Sequence, residues 1–155
     1  IRDNMTWQDI SGGSFYGHTG RMRKILRLNI DQIVSIANDF TIRIWNIQTG
    51  SLVHTFISHL ASIESIEVLS DGRFATGSCD KSIQIWTPQG VDTVLRGHND
   101  CVLSLKQINN TFLASSSSDH LVKLWNLETN QSVLNFVGHT DRVRCIEYHQ
   151  NGTLL

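Results

Sequence analysis

The sequence predicts an all-β chain built from repeated four-stranded antiparallel sheets. Three observations carry that reading: a fixed internal period, two-residue alternation between the markers of that period, and turn residues that punctuate the alternation. His18, His59, His98 and His139 follow one another at steps of 41, 39 and 41 residues, and Trp45, Trp86 and Trp125 at steps of 41 and 39. Inside each unit the distances are constant. His to Asp is 21 residues (His18 to Asp39, His59 to Asp80, His98 to Asp119), Asp to Trp is 6, and a hydroxyl stands four residues before each Asp as Ser35, Thr76 and Ser115. Four matched positions in three copies mark one structural unit used repeatedly.

The units fall at residues 17–57, 58–96 and 97–137, with 138–155 opening a fourth and 1–16 closing an earlier one. In the first, Phe40-Thr-Ile-Arg-Ile-Trp45 alternates as a half-buried strand does, and Gln48-Thr-Gly50 turns the chain. In the second, Ser70-Asp-Gly72 turns into a strand and Lys81-Ser-Ile-Gln-Ile-Trp86 alternates again. The third repeats this with Asn109-Asn110, His120-Leu-Val-Lys-Leu-Trp125 and Glu128-Thr-Asn130, and Gln150-Asn-Gly152 is a turn in the fourth. Trp7, 11 residues before His18, marks the tail of the earlier unit, although Ile1 stands where its Asp would fall. Nothing reads as a helix. One sheet of four short strands cannot bury both faces, whereas several packed around an axis can, which is the propeller arrangement.

The openings Gly17-His18, Gly97-His98 and Gly138-His139, the period and the closings Ile44-Trp45, Ile85-Trp86 and Leu124-Trp125 resemble the WD-repeat β-propeller family over residues 17–155. The chain departs from the family pattern at Ser58-His59, and at Asn46, Thr87 and Asn126, where the family usually has Asp. The resemblance implies a network in each unit: Asp accepts from His, His bonds the hydroxyl, and the hydroxyl reaches the Trp indole. It also implies a propeller that is commonly seven-bladed. Three whole units with partial ones on either side are then expected to be a piece of a larger propeller. The alternatives are that the two ends combine into a fourth blade, or that copies self-associate to close a ring.

A hydroxyl, a His and an Asp are also the parts of a nucleophilic triad. Catalysis needs one such set beside an oxyanion donor, so three identically spaced copies favour structure, and no catalytic residue and no enzyme activity are expected. His54, His120 and His149 form no cluster, and the repeated histidines fall in successive blades, so neither a metal nor a cofactor is expected. Phosphate-cradling, dinucleotide-binding and zinc-protease motifs do not occur. Cys79, Cys101 and Cys145 contain no Cys-x-x-Cys pair, and they read as small apolar residues rather than a disulfide framework or zinc knuckle. A reducing intracellular setting, cytoplasmic or nuclear, follows as an expectation. Thirteen basic and 14 acidic side chains give a net charge of -1, which argues against a polyanion-wrapping protein, and no apolar run is long enough for a membrane helix.

If the repeated residues serve structure, function belongs to positions that differ between blades at the same place. The resemblance implies a top face made by the loop carrying His and the turn carrying Asp. Its candidate partner-binding residues are Thr19, Arg21, Asn38, Phe40, Leu60, Ser62, Cys79, Lys81, Asn99, Cys101, Ser118, His120, Thr140 and Arg142. Arginines, an aromatic and hydroxyls suit a protein or peptide partner. Phe40 stands out as an aromatic in an exposed turn, and Arg21 and Arg142 as forks for a carboxylate or phosphate. The expected function is a non-catalytic interaction scaffold, the alternative an accessory propeller of a larger multidomain enzyme or signalling protein. A third reading, nucleic-acid binding through residues 21–27, rests on Arg21, Arg23, Lys24 and Arg27 and is disfavoured by the net charge.

Overall fold

The computed structural model describes residues 17–149 and 153–154. The expected tail of an earlier blade at 1–16 lies outside the described residues. Twelve strands form three four-stranded antiparallel sheets, each in sequential order. The first holds β1 (Met22–Arg27), β2 (Gln32–Ala37), β3 (Thr41–Asn46) and β4 (Leu52–Ile57). The second holds β5 (Ile63–Val68), β6 (Phe74–Ser78), β7 (Ser82–Thr87) and β8 (Gly90–Arg96). The third holds β9 (Val102–Gln107), β10 (Phe112–Ser117), β11 (Val122–Asn126) and β12 (Gln131–Phe136). A short pair, β13 (Tyr148–His149) and β14 (Thr153–Leu154), follows.

Each sheet buries a face on the next. Val34, Ile36, Ile42, Ile44 and Phe56 of the first meet Ile63, Ile66, Phe74 and Trp86 of the second. Ala75, Ile83, Ile85 and Leu95 of the second meet Val102, Leu105, Leu113 and Trp125 of the third. Ala114 and Val122 then meet Val143 and Ile146. Each such side chain removed from water contributes about 1.5–3 kcal/mol, so the inter-sheet seams, more than any single sheet, hold the fold. Gly77 is required at one seam: a Cβ there would lie 2.6 Å from Val102 Cγ1 and 2.5 Å from Ser65 Oγ.

The repeat is reproduced down to its irregularities. The register shifts by one residue at the tryptophan of each sheet, between Ile44 and Trp45, Ile85 and Trp86, and Leu124 and Trp125. A bulge of this kind re-aims a side chain. The turn at each half-buried Asp carries a residue of positive φ: Phe40 at 65°, Lys81 at 72° and His120 at 69°. That is a hairpin turn closed by a left-handed residue, with the Lys81 N–H reaching Ser78 O at 3.1 Å and the His120 N–H reaching Ser117 O at 3.3 Å.

Candidate functional site

In each blade the hydrogen-bond donors run in one direction. The indole N–H of Trp45, Trp86 and Trp125 donates to the hydroxyl of Ser35, Thr76 and Ser115 at 2.8, 2.8 and 2.7 Å. An indole nitrogen can only donate, so the hydroxyl hydrogen is free for His Nε2, at 2.8, 2.7 and 2.7 Å from His18, His59 and His98. The proton therefore sits on Nδ1, which donates to Asp39, Asp80 and Asp119 at 3.0, 2.8 and 2.8 Å. A neutral imidazole satisfies every polar atom in the row. Each orphaned group in such a place would cost about 1–3 kcal/mol.

The carboxylate at the end of the row does a second job. Its Oδ2 accepts the N–H of the residue after His, namely Thr19, Leu60 and Asn99, at 2.8, 3.0 and 2.8 Å. Its Oδ1 accepts the N–H of Thr41, Ser82 and Leu121 at 3.1, 3.0 and 3.0 Å. One Asp thus ties the His loop to the Asp turn in every blade. Burial alone would raise the Asp80 pKa, but the Ser82 hydroxyl, the Leu60 N–H and His59 outweigh it and hold it at about 2. Against the same burial, the Thr41 hydroxyl, the Thr19 N–H and His18 hold Asp39 far below the usual carboxylate range. The Asn99 N–H and His98 lower Asp119. Burial pushes His59 and His98 below the ordinary imidazole value despite their aspartates, in keeping with the neutral tautomer.

These distances match those of a nucleophilic triad, and access is what separates the two. Ser35, Thr76 and Ser115 are 1%, 0% and 0% exposed, and each hydroxyl is already engaged by an indole N–H and an imidazole. A carbonyl carbon has no path to the oxygen. Among the described residues no cluster of His, Cys, Asp and Glu could hold a metal ion.

The rim residues divide into two groups. Thr19, Arg21, Phe40, Leu60, Lys81, Asn99, His120, Thr140 and Arg142 are exposed, Leu60 by 87% and Phe40 by 42%. Ser62 is half-buried, its carbonyl accepting the Cys79 N–H at 2.9 Å. Asn38 is committed to Arg23, which donates to its side-chain oxygen at 2.7 Å. Ser118 corrects the sequence reading: it is 7% exposed, its N–H bonding Cys101 O at 2.9 Å and the following loop reaching the adjacent Ser117 O through the Val143 N–H at 3.1 Å, so it presents no surface to a partner.

Cys79 and Cys101 are a further correction. They are not isolated apolar residues, since a disulfide joins them. They lie 22 positions apart, in different blades, and the packing of one blade on the next brings the turn before Asp80 beside the loop before β9. Cys145 stays free and exposed. The basic run also changes character. Arg23 pairs with Glu64 at 2.8 Å and Arg27 donates to the Asn29 and Ile30 carbonyls at 3.0 and 3.2 Å, so two of the four cations are engaged within the chain.

Two sets of residues in this site escaped the sequence reading. Ser78 and Ser117, two positions before the Asp, accept the N–H of Asp80 and Asp119 at 3.1 and 3.0 Å, and their hydroxyls reach the Ala61 and Asp100 carbonyls. Thr41 and Ser82, two positions after it, donate to Oδ1 at 2.7 and 2.6 Å. Their fixed spacing from the Asp was the available signal.

Comparison with known proteins agrees with this geometry. The profile of the family described as WD domain, G-beta repeat, matches residues 50–87, 90–126 and 130–155. A ribosome biogenesis protein WDR12 homolog of Nematostella vectensis is 29% identical over 92% of this chain and 36% of its own length. Apoptotic protease-activating factor 1 of Homo sapiens is 29% identical over 74% of this chain and 10% of its own length. The chain thus spans a tenth to about a third of the curated relatives it matches. Among solved structures, the WD40 β-propeller domain of Doa1 superposes with a TM-score of 0.80 at 31% identity, covering 90% of this chain and 47% of that one. The RRP9 WD40 repeats superpose with a TM-score of 0.78 at 27% identity, covering 85% and 43%. The chain belongs to the WD40 repeat family, and its three sheets are blades of a β-propeller.

Proposed function

We propose that this protein is a non-catalytic interaction scaffold whose top face binds a protein or peptide partner. The observation that carries the reading is the contrast on the rim. Identical His–Asp clamps hold the loops, and the exposed residues beside them differ in chemistry from blade to blade: Thr19 and Phe40, then Leu60 and Lys81, then Asn99 and His120. A rigid frame with variable anchors lowers the entropy cost of ordering an interface. Arg21 and Arg142 add donors for carboxylates on the partner.

Affinity capture from cell extract with the native protein, Phe40→Ala, Arg142→Glu and Glu128→Lys tests this. Glu128 lies in the β11–β12 turn, at the opposite end of the sheet from the rim. The expected result is a set of proteins retained by the native chain and Glu128→Lys and lost by the two rim variants. Retention of the whole set by both rim variants overturns the assignment.

The likeness to a ribosome biogenesis protein WDR12 homolog supports an intracellular setting for the same scaffold. The match to a tenth of apoptotic protease-activating factor 1 favours, as a second reading, a propeller that serves as one region of a larger signalling protein. The nucleic-acid reading of residues 21–27 loses its support with Arg23 and Arg27 engaged.

A further inference from the structure

We propose that Cys79 and Cys101 form a reversible redox site. A glutathione-class disulfide closes it, a glutathione-class thiol opens it, and its state sets how firmly the top turn of the second blade is fixed to the top loop of the third. The effect on binding rests on the reading of the top rim as the interaction surface; the redox chemistry does not.

The pairing is a property of one junction only. The position before the Asp and the position three after the next His are Asn38 and Ser62 at the first junction, Cys79 and Cys101 at the second, and Ser118 and Arg142 at the third. Only the second can be joined covalently.

Proximity there does not depend on the bond. The Cys79 N–H is held by Ser62 O at 2.9 Å, the Cys101 carbonyl accepts the Ser118 N–H at 2.9 Å, and the Cys101 N–H is held by Asp100 Oδ1 at 2.7 Å. With the Cα atoms 3.7 Å apart on frames fixed in this way, the two thiols of the reduced protein still face one another. Both cysteines are partly exposed on the rim, where a small thiol reagent can reach them.

The fold does not need the bridge. The same junction is held by the Val102, Leu105 and Trp125 seam and by Ser70, which bonds Asn110 and Gln107 at 2.9 Å each. Opening the disulfide therefore unlinks the top turn of the second blade from the top loop of the third, while each stays bonded within its own blade and the blades stay packed. Lys81 and Asn99, two exposed rim residues, sit two positions from the two sulfurs and change mobility with them.

The exchange balances without a further reagent. One cysteine thiolate attacks a sulfur of glutathione disulfide, forming a mixed disulfide and expelling one glutathione thiolate. The second cysteine thiolate then attacks the protein sulfur of that mixed disulfide, forming the Cys79–Cys101 bond and expelling the other. The protein loses two electrons and two protons, and one glutathione disulfide becomes two glutathiones.

The test equilibrates the protein at a series of glutathione to glutathione disulfide ratios, quenches with acid, alkylates free thiols and maps the peptides by mass spectrometry. The expected result is that Cys79 and Cys101 lose alkylation together across intermediate ratios and appear as one cross-linked peptide, reversed by excess glutathione. Exposed Cys145 is the internal control, remaining alkylatable or taking a single glutathione. Alkylation or separate glutathionylation of Cys79 and Cys101 at every ratio overturns the proposal, and so does a cross-link that persists at the most reducing ratio. Cys101→Ser should abolish the cross-link and leave Cys79 behaving as Cys145 does; if that variant loses its β-sheet circular dichroism, the titration of the native chain decides alone. Amide hydrogen exchange at residues 60–62, 79–81 and 99–101 should slow about tenfold on oxidation, and unchanged exchange removes the clamp. No partner enters these measurements. Their failure leaves the top-face reading standing, and a normal titration with unaltered capture by the rim variants fails that reading alone.

Discussion

The second and third blades carry the same His–Asp network, yet the second is better satisfied. Asp80 receives the Ser82 hydroxyl at 2.6 Å, whereas the corresponding position in the third blade is Leu121, and Asp119 has only its N–H. The second blade also packs Trp86 between Phe56 at 5.1 Å and Phe74 at 5.9 Å, while Trp125 has His98 at 6.1 Å as its ring neighbour. The first blade is the converse case: it has the extra hydroxyl, Thr41, but Ala37 stands where Ser78 and Ser117 accept a backbone N–H. A repeat is thus a fixed minimum of four residues with optional hydrogen bonds around it, and the middle blade has all the options.

The largest effect that can probe this contrast is at tryptophan. Trp86→Ala should destabilise by about 3–5 kcal/mol, as core aromatic truncations do. It should exceed Trp125→Ala by about 1 kcal/mol, the value of the added aromatic pairs. Equal urea midpoints for the two variants would break the comparison. Next is the carboxylate: Asp80→Ala should cost about 2–4 kcal/mol, and more than Asp119→Ala by about the 0.5–1.5 kcal/mol of one hydrogen bond. Denaturant titration of both variants at neutral pH checks the order.

Acid should act in two stages. His59 and His98 have lowered folded values, so the unfolded chain binds more protons below the ordinary imidazole value of 6.5, and stability falls as pH drops through that region. Asp39, Asp80 and Asp119 are also lowered, so their contribution is complete above the ordinary carboxylate value of 3.8 and is lost as pH falls below it, for Asp80 through about 2. Urea midpoints measured from pH 7 to pH 2 should show both declines, and a midpoint independent of pH between 7 and 4 would contradict the neutral-histidine row. The smallest effect sharpens the comparison at its weakest place. Ala37→Ser restores the missing hydroxyl of the first blade and should add about 0.5–1.5 kcal/mol.

Much of this was legible in the sequence because it depends on spacing inside one unit. The His, hydroxyl, Asp and Trp of a blade lie within a stretch of 28 residues, and period-two alternation gives their strands directly. What depends on the seam between units was not legible. The partners of Cys79 and of Arg23 lie 22 and 41 residues away in the next blade, and no local pattern announces which side chains the packing will oppose. Ser118 looked like a rim residue by position and is buried where the following loop bonds the adjacent Ser117 carbonyl through the Val143 N–H. Phe40 was legible as an exposed turn aromatic but not as a left-handed residue, since Lys81 and His120 at the same place share only the backbone that the turn imposes.

The charges along β1, β5 and β9 set these strands apart from one another. Glu64 and Glu67 both belong to β5, and they take Arg23 from one neighbour and Lys106 from the other. Pairs this exposed add about 0–1 kcal/mol each, too little to hold blades together. They do make the blades non-interchangeable. Excising the second blade so that β1 meets β9 would place Arg23 opposite Leu103 and Leu26 opposite Lys106, with no acid on either side. The first strands of the sheets therefore carry the order of the modules as a charge pattern, and a shuffled or duplicated array of these repeats would lose those pairs.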